Sequence, residues 1–159
     1  QTDRTTHPGQ DLRGIKSLTD AEMQSYLNGR GMGLAKPAEL NNYPGPMHVL
    51  ELAEKLQLSV QQKSETQKAF ERMKAEATRL GKLIVEKEAT LNALFAEGKA
   101  KQKSLLTNVK EIARLQGELR VVHLQAHLEI RRVLLPDQIK KYNDARGYGT
   151  KEVLHNHDQ

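Results

Sequence analysis

The chain has 159 residues, enough for one domain, with 37% hydrophobic, 28% charged and only 4% aromatic residues and no Trp. That balance suits long helices buried along one stripe better than a compact globule. A net charge of +5 favours acidic partners or anionic surfaces. The lack of cysteine excludes disulfides, thiolate nucleophiles and Cys-based zinc sites, and no run of eighteen apolar residues offers a membrane span.

In chain order, the first 17 residues are polar, with Pro8, Gly9 and Gly14, and read as a flexible arm. The chain opens at Gln1 with neither Met nor a signal peptide, as a processed or a trimmed form would. Thr19-Asp20-Ala21-Glu22 has the spacing of a capping box, so a short helix is expected to run to Leu27 and to end at Asn28-Gly29. Residues 28–46 are rich in Gly and Pro and read as a long irregular connection. The segment "GRGMG" within it has no preceding strand and no following Gly-Lys-Ser/Thr, so it lacks the context of a phosphate-binding loop.

Pro46 suits a first helical turn, and "MHVLELAEKLQL" predicts about three turns of helix. Ser59 is the expected N-cap of a much longer helix that meets no proline before Gly98. At 1.5 Å per residue it would be about 60 Å long. Phe70, Met73, Ala77, Leu80, Ile84, Leu91 and Leu94 step by three and four along it, with Lys87 filling the gap. A third helix, from about Lys101 to Val133, continues the seam with Leu105, Val109, Ile112, Leu119, Ala126, Ile130 and Val133; Gln116 and His123 fill its two remaining positions. Pro136 starts a last short helix ended by Gly147, and a polar tail follows.

The short link at 98–100 makes the two long helices antiparallel neighbours, with paired residue numbers summing to about 198–200. Gly81 and Gly117 fall at one level, which reads either as a close helix approach or as two tolerated glycines. Apolar residues remain on outer faces at Leu83, Val85, Leu106 and Val121, so a homodimer is expected, with this surface paired or kept for clients. The fold class is therefore all-α: a long antiparallel helical hairpin with short flanking helices. It divides into a flexible N-terminal arm with one short helix (1–45), a helical hairpin domain (46–147) and a polar tail (148–159).

Two stretches share a theme. "LQLSVQQ" places Leu56, Leu58, Ser59 and Gln62 at the start of the long helix, and "LLPDQ" places Leu134, Pro136, Asp137 and Gln138 at the start of the last one. Ser59 can cap its helix while Gln62 reaches back, and Leu56 and Leu58 pack the preceding segment against it. In the second copy Leu135 stands at the cap, and the first-turn preference for Pro and Asp is kept.

These stretches resemble the paired LTxxQ motifs of the Spy/CpxP family of periplasmic stress proteins, whose superfamily includes the zinc-resistance-associated protein and heavy-metal sensors. The likeness covers about two thirds of the chain, residues 46–147. It implies a cradle-shaped or intertwined helical dimer in the bacterial periplasm. It also implies an ATP-independent chaperone for unfolded or stress-related clients, an adaptor of a membrane signalling protein, or a metal sensor or buffer. No enzyme is implied, and the residues hold no nucleophile–base–acid constellation. Nor do they show a nucleic-acid-binding motif, because the basic residues are interleaved with acids and have no aromatic platform. Lys68, Lys74, Lys82, Lys110, Arg114 and Arg120 can contribute to a basic client face, or be ordinary solvated helix charges.

His123 and His127 stand four apart on one helix face, the spacing at which two imidazoles reach one metal ion. The hairpin register brings His127 level with about Glu71, and a fold-back at 57–59 brings His48 near the same level. His48, Glu71, His123 and His127 are thus a candidate site for Zn, Ni, Co or Cu(II); soft copper(I) is disfavoured by the absence of Cys. The resemblance to the sensors implies imidazoles and a carboxylate on comparable helices. This chain departs from their pattern with Leu52 four residues after His48 and Ile130 where a Met ligand is expected, and its C-terminal histidines are only His155 and His157. The competing reading is that His123 is a polar seam residue setting helix register and that His127 is its partly exposed neighbour.

Overall fold

The computed structural model describes Gly9 and residues 13–149. Residues 1–8 and 10–12 of the expected arm, and the tail from residue 150 with His155 and His157, lie outside the described residues. Among the described residues six helices follow one another: α1 (Asp20–Leu27), α2 (Lys36–Glu39), α3 (Pro46–Glu51), α4 (Val60–Ala96), α5 (Gln102–Val133) and α6 (Pro136–Arg146). The protein is all-helical, with no strand among the described residues, and none of its described helices is long and apolar enough to cross a membrane.

The helix ends form where the local chemistry expects them. Thr19 Oγ1 accepts from the Glu22 N–H at 2.9 Å while Glu22 Oε1 accepts from the Thr19 N–H at 3.2 Å, a complete capping box. Ser59 and Gln62 repeat this with both bonds at 3.0 Å. Gly98 and Gly147 adopt left-handed φ of +66° and +78°, and the N–H that follows each reaches back five residues, Lys99 to Leu94 and Tyr148 to Asn143. Both are Schellman closures.

Two segments differ from the sequence reading. The supposed irregular connection contains the one-turn helix α2. The three-turn helix expected from Pro46 is regular only to Glu51. Beyond it the backbone turns loosely to Leu56 and closes through Gln57, whose φ is +53°, with the Leu58 N–H on the Ala53 carbonyl. The burial of Leu56 explains this: closing early drives that side chain, 0% exposed, into the core beside Val49.

Contacts divide the chain into two compact units: residues through Arg30 with Glu76–Leu119, and Gly31–Ala75 with residues from Arg120 on. In the first unit Ala77, Leu80, Ile84, Ile112, Leu115 and Leu119 are buried between α4 and α5. Leu115, flanking Gln116, is the residue turned inward, and the expected seam residues Leu105 and Val109 are exposed. The α1 segment lies along α4: Ser17 Oγ donates to Glu88, Lys16 N–H donates to Asn92 Oδ1, and the Tyr26 carbonyl rests on Gly81. A Cβ at Gly81 would stand 1.9 Å from that carbonyl oxygen, whereas one at Gly117 would meet nothing within 4 Å. Of the two open readings, Gly81 serves a close approach, to α1 rather than α5, and Gly117 is merely tolerated.

In the second unit Val49, Leu56, Ala69, Ile130, Leu134 and Tyr142 form one buried cluster, with Leu52, Leu58, Ile139 and Tyr148 packed against it. Gln62 meets Val133, and Arg72 pairs with Glu129 at 2.9 Å, so numbers rise along α4 as they fall along α5.

Candidate functional site

Within the second unit the two motif glutamines meet. Gln62 Nε2 donates to Gln138 Oε1 at 2.8 Å, and Gln138 Nε2 donates to Gln62 Oε1 at 3.0 Å. Each also serves its own helix: Gln62 Oε1 accepts from the Ser59 N–H, and Gln138 Oε1 from the Leu135 N–H at 2.9 Å. Each then crosses to the other motif, Gln62 Nε2 to the Val133 carbonyl at 3.0 Å and Gln138 Nε2 to the Leu56 carbonyl at 3.1 Å. Both amides thereby use two donors and two acceptor sites, the full capacity of the group. Gln138 is buried, and this satisfaction is what makes its burial tolerable. Leu135 offers no side-chain acceptor at its cap, so Gln138 carries the side-chain capping of α6 alone.

A second polar centre lies in the same unit, around Glu39 at the end of α2. Glu39 Oε1 accepts from the hydroxyls of Tyr142 at 2.5 Å and Tyr148 at 2.8 Å, and Arg146 Nε stands 3.6 Å away. Its Oε2 is buried without a hydrogen-bond partner among the described residues, 3.7 Å from His127 Nδ1. Burial first, and then the Glu39 carboxylate, push both tyrosines above the usual phenol range. Nearby, Asn143 Nδ2 donates to Asn42 Oδ1 at 2.8 Å, and the Arg131 guanidinium lies 4.0 Å over the Tyr43 ring. These contacts tie the 31–45 segment to α5 and α6. Nothing in the local pattern of Lys36-Pro37-Ala38-Glu39 signals this role; the one clue is an acid inside a Gly- and Pro-rich connection.

The four candidate metal residues all fall in this unit, but each has its own neighbourhood. His48 Nδ1 lies 2.9 Å from Glu51 Oε2, within α3. Glu71 is exposed and accepts from Gln67 Nε2 at 3.2 Å. Arg72, one residue on and about 100° around the helix, is the side chain that meets α5. His123 is buried in its seam position. His127 is buried too, its Nδ1 2.6 Å from the Tyr43 carbonyl and its ring against Gly45, where a Cβ would stand 2.8 Å from Cε1. A carbonyl only accepts, so the Nδ1 of His127 carries the proton in this contact. Among the described residues no group of three His, Cys, Asp or Glu side chains is placed to share one ion.

Of the basic residues, Arg114 is held by Glu111 and Glu118 on its own helix, and Arg120 Nε donates to the Leu34 carbonyl at 3.2 Å. Lys68, Lys74, Lys82 and Lys110 are exposed. Exposed apolar side chains include Phe95, Leu105, Leu106 and Val109 in the first unit; in the second they include Val121 and Leu128 on one face of α5, together with Met32, Leu40, Met47, Val60 and Leu135.

No protein-family model, curated protein or solved structure matches the chain.

Proposed function

We propose that this chain is a non-enzymatic periplasmic stress protein of the Spy/CpxP kind, binding unfolded or envelope-stress clients without ATP as a chaperone or adaptor. It works as a homodimer of a long helical hairpin. The observation that carries this reading is the mutual capping of Gln62 and Gln138. It accounts for the paired motifs on which the family resemblance rests. Val121 and Leu128, exposed two turns apart on α5 with Arg132 beside them, supply apolar and basic surface of the kind a partly unfolded chain would meet. The test is suppression of aggregation of a denatured client at near-equimolar ratio without ATP. Protection is expected, and it should weaken in Val121→Asp/Leu128→Asp. No protection at several-fold excess overturns the reading.

The alternative is a periplasmic sensor or buffer of Zn, Ni, Co or Cu(II). It is favoured by the burial of His123 and His127 one turn apart, with His127 Nδ1 anchored on a backbone carbonyl. Such an anchor orients an imidazole so that Nε2 serves as the ligand. Calorimetry with each ion on the wild type and on His127→Ala decides it: micromolar or tighter binding, lost in the variant, is required.

A further inference from the structure

The link between α4 and α5 has a chemistry that the client reading does not use. From Gly98 to Lys110 the chain carries Lys99, Lys101, Lys103 and Lys110 and no acidic residue. In the first unit these lysines are exposed, and so are Phe95 at 60%, Leu106 at 47% and Val109 at 46% exposure. The chain has only two phenylalanines, and this one, in the last turn of α4, is left in water. An open groove there is lined by Leu94, Lys99, Lys101, Lys103 and Thr107. Among the described residues the counter-charge paired with these lysines is Glu97, whose carboxylate lies 3.4 Å from Lys99 Nζ with both side chains largely solvated. Lys101 and Lys103 have no such partner among the described residues, and the N-terminus of α5 adds partial positive charge between them.

We propose that this end of the first unit docks on an anionic phospholipid surface, with the lysines over the headgroups and Phe95 and Leu106 entering the acyl boundary. Charge complementarity names the partner. Clustered lysines on flexible stems gain from a dense negative plane and need no fixed geometry. Exposed apolar side chains on the same stretch of chain gain from the adjacent hydrocarbon. An acidic peptide would satisfy the lysines but supplies no continuous apolar layer for Phe95 and Leu106 together. The client surface proposed above, at Val121, Leu128 and Arg132, lies in the other unit.

The chain contains no tryptophan, so Phe95→Trp places a single reporter at the contact, and Val60→Trp, at an 89% exposed position of the other unit, serves as control. The full chain is mixed with vesicles of phosphatidylcholine alone or with about one third phosphatidylglycerol. A blue shift of about 10 nm is expected for Phe95→Trp with the anionic vesicles only, weakening with salt. No shift is expected for Val60→Trp. Co-sedimentation of the wild type with anionic vesicles should fall at least about fivefold in Lys101→Glu/Lys103→Glu, with unchanged helical circular dichroism. Three results overturn the proposal: no co-sedimentation of the wild type, equal binding by the charge-reversed variant, or a Phe95→Trp shift with polyglutamate as large as with vesicles. The last would make the surface a site for acidic peptides.

Discussion

Gln62 and Gln138, 76 residues apart, hydrogen-bond each other in both directions and each also caps the helix it belongs to. The starts of α4 and α6 are thus not independent. Neither amide can leave without taking a donor from a carbonyl in or beside the opposite motif and an acceptor from an N–H of its own.

Gln138→Ala removes four hydrogen bonds, leaves the Leu56 carbonyl and Leu135 N–H unserved in a buried site, and should destabilise the fold by about 2–4 kcal/mol in urea unfolding. Gln138→Glu keeps the shape but exchanges two N–H donors for one O–H when neutral and none when ionised. Burial would raise the folded pKa of the new carboxyl, so its charged form is disfavoured and the variant should lose stability as pH rises through the carboxylate range. It should be measurably less stable at pH 7 than at pH 4, relative to wild type at each pH.

The second motif has an open place at its cap. Leu135 is 62% exposed and has no side-chain oxygen, so Leu135→Thr should supply an acceptor to the Gln138 N–H and stabilise by about 0.5–1 kcal/mol. Ser59→Ala should lose about 1 kcal/mol, because its Oγ now accepts from the Gln62 N–H. Thermal melts of the two variants should move in opposite directions.

Gly81 and Gly117 should also respond with opposite signs. Gly81→Ala drives a methyl group onto the Tyr26 carbonyl, so α1 must shift off α4; a loss of at least about 2 kcal/mol is expected. Gly117→Ala meets open space in mid-helix and should stabilise by up to about 1 kcal/mol. Urea midpoints of the two single variants check both.

The phenols of Tyr142 and Tyr148 are raised by burial and by Glu39. A raised folded pKa favours the neutral form, so this contribution to stability is fully present below the unfolded value of about 10 and is lost as pH rises through the folded values. Absorbance titration near 295 nm should show a phenol fraction that ionises late, together with alkaline unfolding, and Tyr142→Phe should remove part of that late fraction.

The helix ends were legible because they depend on bonds across three to five residues. Thr19 with Glu22, Ser59 with Gln62, Gly98 and Gly147 carry their geometry in local sequence. The seam was legible for Ala77, Leu80 and Ile84, where the three-four step is strict, and it placed His123 correctly inside. It misjudged Leu105 and Val109, because periodicity marks one face of a helix without saying how far along it a neighbour packs.

By itself, the sequence determined an all-helical chain, the position of its long helices and a glutamine, Gln62, set to cap its helix, with Gln138 in the matching place of the second motif. Only the tertiary structure decided that those glutamines cap in partnership, that Glu39 gathers Tyr142 and Tyr148, and that Gly81 admits Tyr26. The same packing turned Arg72 rather than Glu71 toward α5 and spent His127 on Tyr43. The reason is angular: one residue along a helix is a rotation of about 100°, so an approximate register locates a level without choosing which side chain faces inward.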